Sequence, residues 1–228
     1  MQIQKIDSFD SFCSALRKAG FSIGGSNDEG VFTLCGYFSD NIAAHTGDIE
    51  TDPWEWRIRG ITECGDLAYG KVFFNKGGWI TKEWYPCFLA VRRENRTFEE
   101  IYEDGLISNL AKRVYELIRS TPHLALHEIK IMLESGKEQN NKIESALTLL
   151  QMKMLITISG QKFKLSKEGH AYGWPVTTFC TVEDFFGSEI FDLSCELSRQ
   201  EAVNRITERI LELNAKADPK AIGKFIAG

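Results

Sequence analysis

Apolar residues recur at helical spacing between Gly105 and Gly169. A first helix is predicted from about Ser108 to Arg119, and a second from His127 to Glu134, which Gly136 ends. A third helix, from Lys137 to Gln151, carries an apolar stripe at the i, i+3, i+4, i+7 spacing that is typical of a buried helix face. The residues of the second and third helices predicted to face inward are Ile129, Leu133, either Ile131 or Met132, and then Ile143, Ala146, Leu147 and Leu150.

Short extended runs accompany these helices. Leu124 and Leu126 alternate as a short strand before the second helix. After the third helix, the apolar runs 154–158 and 163–165 flank Ser159-Gly160-Gln161-Lys162, which predicts a tight hairpin. The order helix, strand, helix, helix, hairpin is that of a winged helix-turn-helix, whose usual task is to lay one helix in a groove of nucleic acid.

The first part of the chain predicts one helix and a small hairpin. Asp7 or Ser8 can cap a helix that runs to about Ala19. Two short apolar runs follow, at 21–23 and 31–34, and a polar, glycine-rich loop separates them. This arrangement predicts that the two runs pair as antiparallel strands.

Between Asp48 and Arg93 the composition becomes aromatic, and the pattern leaves alternatives open. The residues after Asp52-Pro53 fit one helical face, but they also alternate as a strand would. The run 67–74 predicts a buried strand, and 75–78 predicts a turn. The segment 82–93 fits either a helix or a strand, and a proline within it favours an element boundary.

Capping signals near the end of the chain predict further helices, which begin near Thr181, at Ser198 with its partner Glu201, and at Asp218-Pro219. Taken together, the elements predict an α+β protein. Its expected parts are a mixed N-terminal domain with a small antiparallel sheet (1–104), a winged helix-turn-helix domain (105–169) and a C-terminal helical extension (170–228).

The charge is distributed unevenly along the chain. Residues 105–169 hold ten Lys/Arg against six Asp/Glu, a net of +4, whereas the other residues hold 17 against 26, a net of −9. The total of −5 has the wrong sign for a protein that coats polyanions indiscriminately. Any contact with nucleic acid is therefore expected to be local.

The polar side chains of this basic stretch suggest which residues would touch DNA. Lysines neutralise phosphates, and Asn or Gln side chains match the donor and acceptor pair on an adenine edge. The start of the third helix supplies both types, and the predicted hairpin, which would be the wing of this fold, supplies lysines. The residues are Lys137, Gln139, Asn140, Asn141, Lys142, Lys162 and Lys164. A polar face is also what any surface helix needs, so a protein-interaction or regulatory module is the alternative hypothesis.

Two aromatic runs are candidates for a pocket in which a base could stack beside a carboxylate. They comprise Trp54, Glu55, Trp56 and Arg57, and then Glu83, Trp84 and Tyr85. The favoured alternative is a large aromatic core with charged residues at the surface between the rings.

Metal, cofactor and membrane signals are weak. The six cysteines form no C-x-x-C pair, and His123 and His127 do not fit the zinc-binding H-E-x-x-H order, so no metal and no cofactor are predicted. The N-terminus lacks the apolar region of a signal peptide, and no apolar run is long enough to span a bilayer. We therefore expect a cytoplasmic protein with reduced thiols. A homo-oligomer is compatible with the sequence.

The sequence resembles a known family in two places. The run from Asn140 to Leu165 (NNKIESALTLLQMKMLITISGQKFKL) and the segment EAVNRITERILELNAKADPKAIGKFIAG look like the AlkZ-type winged-helix DNA glycosylases, especially their smaller relatives. This resemblance covers about the last 125 residues. It implies several winged-helix modules around a β-rich domain and a role in DNA repair, with double-stranded DNA as the partner.

The family removes alkylated bases, including crosslinked ones, and its catalytic signature is Gln-x-Gln or Gln-x-Asp after a helical module. Gln2-Ile3-Gln4 has these letters, but no helical module precedes it. Gln151-Met152-Lys153 fits neither form. The resemblance therefore implies a glycosylase-like protein whose catalytic residues the motif does not identify.

Overall fold

A computed structural model describes residues 3–134, 136, 139–166 and 168–228, and it shows an α+β protein. The helices in these ranges are α1 (Phe9–Ala19), α2 (Pro53–Glu63), α3 (Tyr85–Arg92), α4 (Phe98–Glu103), α5 (Asn109–Ser120), α6 (Leu126–Met132), α7 (Asn140–Met152), α8 (Val182–Phe186), α9 (Glu189–Cys195), α10 (Arg199–Leu213) and α11 (Pro219–Ala227). None of them combines the length and the apolar character needed to cross a membrane.

Two antiparallel sheets of three strands each accompany the helices. The first has the order β1-β3-β2, with β1 (Phe21–Ile23), β2 (Leu67–Phe73) and β3 (Lys76–Thr81). The second has the order β4-β6-β5, with β4 (Leu124–Ala125), β5 (Ile156–Leu165) and β6 (Ala171–Thr181). Strand β2 is thus an edge of the first sheet, and α7 and β5 lie against it.

The apolar side chains form two clusters. The first joins α1, the first sheet and α3 to the C-terminal helices α10 and α11. At its centre the Phe225 ring stacks on Phe73 at 3.8 Å between centroids, and Phe21 and Phe88 surround this stack. Burial of large rings is a main source of folding free energy, so this cluster ties α11 to the first sheet and to α3.

The second cluster lies between α4, α5, α6, α7 and the second sheet. The stripe predicted for the third helix is buried in it, because Ile143, Ala146, Leu147 and Leu150 all face inward from α7. Of the pair left open in the second helix, neither is buried: Ile131 and Met132 are both exposed on α6, while Ile129 fills the core. Helix α6 has only seven residues, so its buried face is narrow.

The hairpin predicted between 21–23 and 31–34 is wrong. Strand β1 pairs with β3 instead, and an isolated parallel bridge joins Ile23 to Thr33. The Thr33 hydroxyl accepts a hydrogen bond from the Cys35 N–H and so begins a 3-10 turn rather than a strand. The alternatives left open downstream are both resolved as helices, α2 and α3.

The position predicted for the tight hairpin is also wrong. Gly160 has φ 144°, and it lies at a bulge within the continuous strand β5 instead of in a turn. The chain reverses later, between Leu165 and Ala171, so the hairpin is much longer than the predicted one. A bulge adds one residue to a strand without ending it. A glycine-containing turn signal in the sequence fits a bulge as well as a reversal of the chain.

Candidate nucleic-acid interface

The start of helix α7 carries most of the polar residues predicted to touch DNA. Gln139, Asn141 and Lys142 are exposed, and Asn140 is half-buried. Lys137 lies outside the described residues. Because the apolar stripe of α7 faces the second cluster, the exposed side of the helix faces away from it.

Part of that exposed side, including Asn141 but neither Gln139 nor Lys142, lines a cleft of about 770 Å³. The opposite walls are the turn between β2 and β3 and the end of α11. Polar groups come from α7 and from the turn: Asn75, Asn141, Ser145 and Thr148. Phe74 and Asn75 form the turn with φ of 52° and 59°, as a two-residue hairpin turn requires.

The charge of this cleft is positive. Lys71, Lys153 and Lys224 line it, and in the described part of the chain none of these three lysines forms an ion pair. Among the described residues that line the cleft, the one acidic side chain is that of Glu144, which Lys130 binds at 2.7 Å. The three lysines therefore stay available to an anion.

Two buried side chains hold the walls of the cleft together. The Gln151 side chain accepts a hydrogen bond from the Lys71 N–H at 2.9 Å and donates one to the Leu147 carbonyl at 3.0 Å, so it fastens α7 to the edge of β2. Gly70 allows this approach, because a Cβ there would lie 3.2 Å from the Gln151 amide oxygen.

Arg92 is the second of these side chains. It donates hydrogen bonds to the carbonyls of Met152, Phe225 and Ile226, and so it joins the C-terminal ends of α7 and α11. A cation is favoured at helix C-termini, where carbonyl groups lack partners within the helix. Burial lowers the pKa of Arg92 to about 10, which leaves it charged at neutral pH.

The two lysines predicted on the wing are differently placed. Lys162 contacts Glu128 at 2.6 Å, and Glu128 also accepts the Ala125 N–H that begins α6. Burial opposes ionisation of Glu128, but the Lys162 ammonium and the Ala125 N–H outweigh it and lower the pKa of this carboxyl. Lys162 is thus already paired, whereas Lys164 is half-buried on the same strand.

A second cavity, of about 420 Å³, lies where α2 meets the long hairpin. Three of the residues predicted for a pocket line it, namely Trp54, Glu55 and Arg57. The Arg57 guanidinium lies 3.2 Å from the centre of the Trp54 ring, and its Nε donates to the Trp54 carbonyl. Tyr69, Gln161 and Trp174 also line it, and Trp174 is 90% exposed.

Asp52 sets the position of this part of α2. Its carboxylate accepts hydrogen bonds from the N–H groups of Trp54, Thr46 and Gly47 at 2.7–2.9 Å, so it caps the helix and closes the preceding loop. Burial raises the pKa of Asp52, but these backbone donors outweigh it and leave the pKa below its usual value. The cap thereby holds Trp54 at the rim of the cavity.

The remaining residues of the two aromatic runs lie elsewhere. Trp56 is fully buried between the rings of Phe9 and Phe12. Glu83 is exposed, and Trp84 packs edge-on against Phe21. Tyr85 packs against Phe186, and its burial raises its pKa. The structure therefore places Trp54, Glu55 and Arg57 at the cavity, whereas Trp56 and Tyr85 belong to the first core cluster.

Sequence reasoning missed the three lysines of the cleft, and in the cavity it missed Tyr69, Gln161 and Trp174. Tyr69 and Lys71 alternate on β2 and so share one face of the strand, about 7 Å apart. This face connects the aromatic cavity to the basic cleft. A usable signal was Gly173-Trp174-Pro175, because proline in a strand marks an edge or a bulge, where a tryptophan is readily exposed.

The fold and these two sites define an α+β protein with a helix-lined basic cleft beside an aromatic cavity. The chain belongs to the AlkZ-related family, whose model matches residues 6–227, nearly the whole chain. The family resemblance is thus confirmed, and it extends well beyond the C-terminal part that suggested it. Neither the curated proteins nor the solved structures include a match. The motif residue Gln2 lies outside the described residues.

Proposed function

We propose that this protein binds double-stranded DNA through the basic cleft, in keeping with its membership of a family related to DNA glycosylases. The observation that carries the proposal is the set of three lysines that line the cleft with the polar side of α7 and form no ion pair with a described residue. Phosphates attract lysines without regard to sequence, and Asn or Gln side chains on a helix can read base edges. We further propose that α5 to β6 act as a winged helix-turn-helix, because β4 lies beside β6 in the order of that fold.

The acidity of the rest of the chain fits such a local interface. With a net charge of −5, the protein is expected to repel DNA over most of its surface. The duplex would then approach in the orientations that bring its backbone to Lys71, Lys153 and Lys224. Lys162 contributes less in this view, because Glu128 already neutralises it.

The test is a salt titration of binding to a short duplex, followed by fluorescence anisotropy. Three phosphate contacts predict a slope of about −3 in a plot of log K against log salt concentration, because each contact releases condensed counterions. Affinity that is independent of salt between about 50 and 200 mM would be incompatible with phosphate contacts. A neutral peptide nucleic acid duplex of the same sequence serves as the control and should not bind through the lysines.

Base excision is a second candidate function, favoured by the aromatic cavity beside the cleft. A base extruded from the duplex needs aromatic surface to stack on and polar groups around the glycosidic bond. Trp174 and Tyr69 offer the first, and Glu55 and Gln161 lie in the same lining. Since Tyr69 and Lys71 share a face of β2, a DNA backbone bound at Lys71 would lie next to the cavity.

Abasic-site formation in alkylated duplex DNA measures this activity. We expect Trp174→Ala to lower the rate by about tenfold, because stacking on an aromatic side chain contributes roughly 1–3 kcal/mol per base. Leu165→Ala, at another exposed apolar position of the same hairpin, is the matched control and should leave the rate unchanged. If the protein binds DNA but forms no abasic site in any alkylated duplex, base excision is excluded and a regulatory DNA-binding role remains.

A further inference from the structure

Two cysteines from distant parts of the chain meet where α1 lies next to the C-terminal end of α2, the helix that lines the aromatic cavity. The sulfurs of Cys13 and Cys64 lie 3.5 Å apart, although the residues are 51 positions apart in sequence. Cys13 is buried in the middle of α1, whereas Cys64 is half-buried at the C-terminal cap of α2. Both are free thiols, and Cys64 is the one that solvent can reach.

A cation accompanies this pair. Arg17 follows Cys13 by one helical turn, and its guanidinium is fixed by two hydrogen bonds to Asp66, at 2.7 and 2.9 Å. Its charge opposes the effect of burial on the pKa of Cys13. A nearby cation favours the thiolate form of cysteine, which is the form that reacts with oxidants and disulfides.

The two sulfurs differ in a way that orders their reactions. Burial and the neighbouring Cys64 thiol raise the pKa of Cys13 well above its usual value, so Cys13 keeps its proton. The more accessible Cys64 is then the sulfur that meets an oxidant first, and Cys13 is held in contact to resolve the product. This division into an accessible and a resolving cysteine is the usual arrangement of redox-sensitive thiols.

We propose that Cys13 and Cys64 are a modification site, a dithiol that peroxides convert to an intramolecular disulfide. This inference goes beyond DNA binding and does not depend on it. The sulfurs need to approach by only about 1.5 Å to reach the S–S bond length of about 2.05 Å.

The chemistry balances with the peroxide as the oxidant. The Cys64 thiolate attacks one peroxide oxygen, the O–O bond breaks, and the leaving hydroxide takes up the proton that Cys64 released, which gives a sulfenic acid and water. The Cys13 sulfur then attacks the Cys64 sulfur. The S–S bond forms as the S–O bond breaks, and the departing hydroxide takes the Cys13 proton to give a second water. The two thiols are oxidised, and the peroxide is reduced to water.

The disulfide would tie the middle of α1 to the end of α2. Because the first turns of α2 carry Trp54 and Arg57, this crosslink connects the redox state of the pair to the helix that supports the aromatic cavity. It would also close a long loop, which reduces the conformational freedom of the unfolded chain. Oxidation is therefore expected to raise the Tm of the protein, and a reducing agent should reverse the rise.

The experiment treats the full chain with hydrogen peroxide and counts free thiols before and after. We expect the count to fall from six to four per chain. Digestion without reduction should yield one crosslinked peptide pair that contains Cys13 and Cys64. After peroxide treatment, Cys64→Ser should keep its five remaining thiols and show no rise in Tm. The matched control Cys35→Ser should still form the disulfide.

Several outcomes would overturn the proposal. They are an unchanged thiol count, further oxidation of Cys64 without a crosslink, a disulfide that involves other cysteines, or a crosslink between two chains. If Cys64→Ser unfolds, Cys13→Ala provides the second arm, and Cys64 should then stop at the sulfenic acid, which dimedone traps. Failure of dimedone to label Cys64 in that variant would equally count against the assigned order of reaction.

Discussion

Charge reversal of the three cleft lysines, Lys71→Glu, Lys153→Glu and Lys224→Glu together, is expected to weaken duplex binding by on the order of a thousandfold at physiological salt. Each lysine is expected to contribute roughly tenfold, since its removal loses the released counterions and the new carboxylate repels the phosphate. The slope of log K against log salt should become shallower by about three units. Anisotropy titrations of the variant and of the wild type measure both quantities.

The matched control changes the net charge equally at three exposed lysines that do not line the cleft, with Lys5→Glu, Lys18→Glu and Lys216→Glu. Long-range repulsion alone should affect this variant modestly, because charges separated by more than about 10 Å are largely screened at such salt concentrations. Equal losses of affinity in the two variants would mean that net charge governs binding, and the cleft would lose its role. Circular dichroism of both variants checks that they fold.

Phe225→Ala is expected to lower the free energy of unfolding by about 3–5 kcal/mol, because it removes a fully buried ring and leaves a cavity. Phe225 stacks on Phe73 at 3.8 Å and has other rings around it, so the surrounding side chains cannot easily fill the space. Urea denaturation measures the change. Phe163→Ala, at a ring that is 50% exposed, should change the free energy of unfolding by less than about 0.5 kcal/mol.

This substitution also probes how the core supports the cleft. Helix α11 carries both Phe225 in the core and Lys224 at the cleft wall. Loosening the helix should therefore weaken DNA binding as well as stability. A variant with unchanged stability would show that the aromatic cluster does not hold α11 in place at the cleft wall.

Local signals predicted most of the helices correctly. Of the two candidates for the first cap, Ser8 is the one used, Ser198 caps α10 as predicted, and Ser108 caps the helix predicted to begin near it. The buried stripe of α7 lies where its spacing predicted. Caps and spacing depend on residues within a few positions of one another, so a sequence displays them directly. The boundaries proposed at residues 104 and 169 stay predictions.

Pairing between distant segments was harder to predict. The strand β1 found its partner in β3, almost 60 residues away, rather than in the nearby run that resembled a hairpin. Glycine misled the prediction a second time at Gly160, which marks a bulge rather than a turn. In both cases the local pattern was compatible with two structures, and the choice depended on which distant strand was available.

The sequence by itself determined the helical segments, the apolar side of α7 and the resemblance to a family of DNA glycosylases, because each is a property of neighbouring residues. Only the tertiary structure decided which charges act together. It neutralised Lys162 with Glu128, and it brought Lys71 and Lys224, which are distant in the sequence, to face α7. The physical reason is that a side chain's electrostatic surroundings depend on distance in space, and folding of the whole core sets that distance.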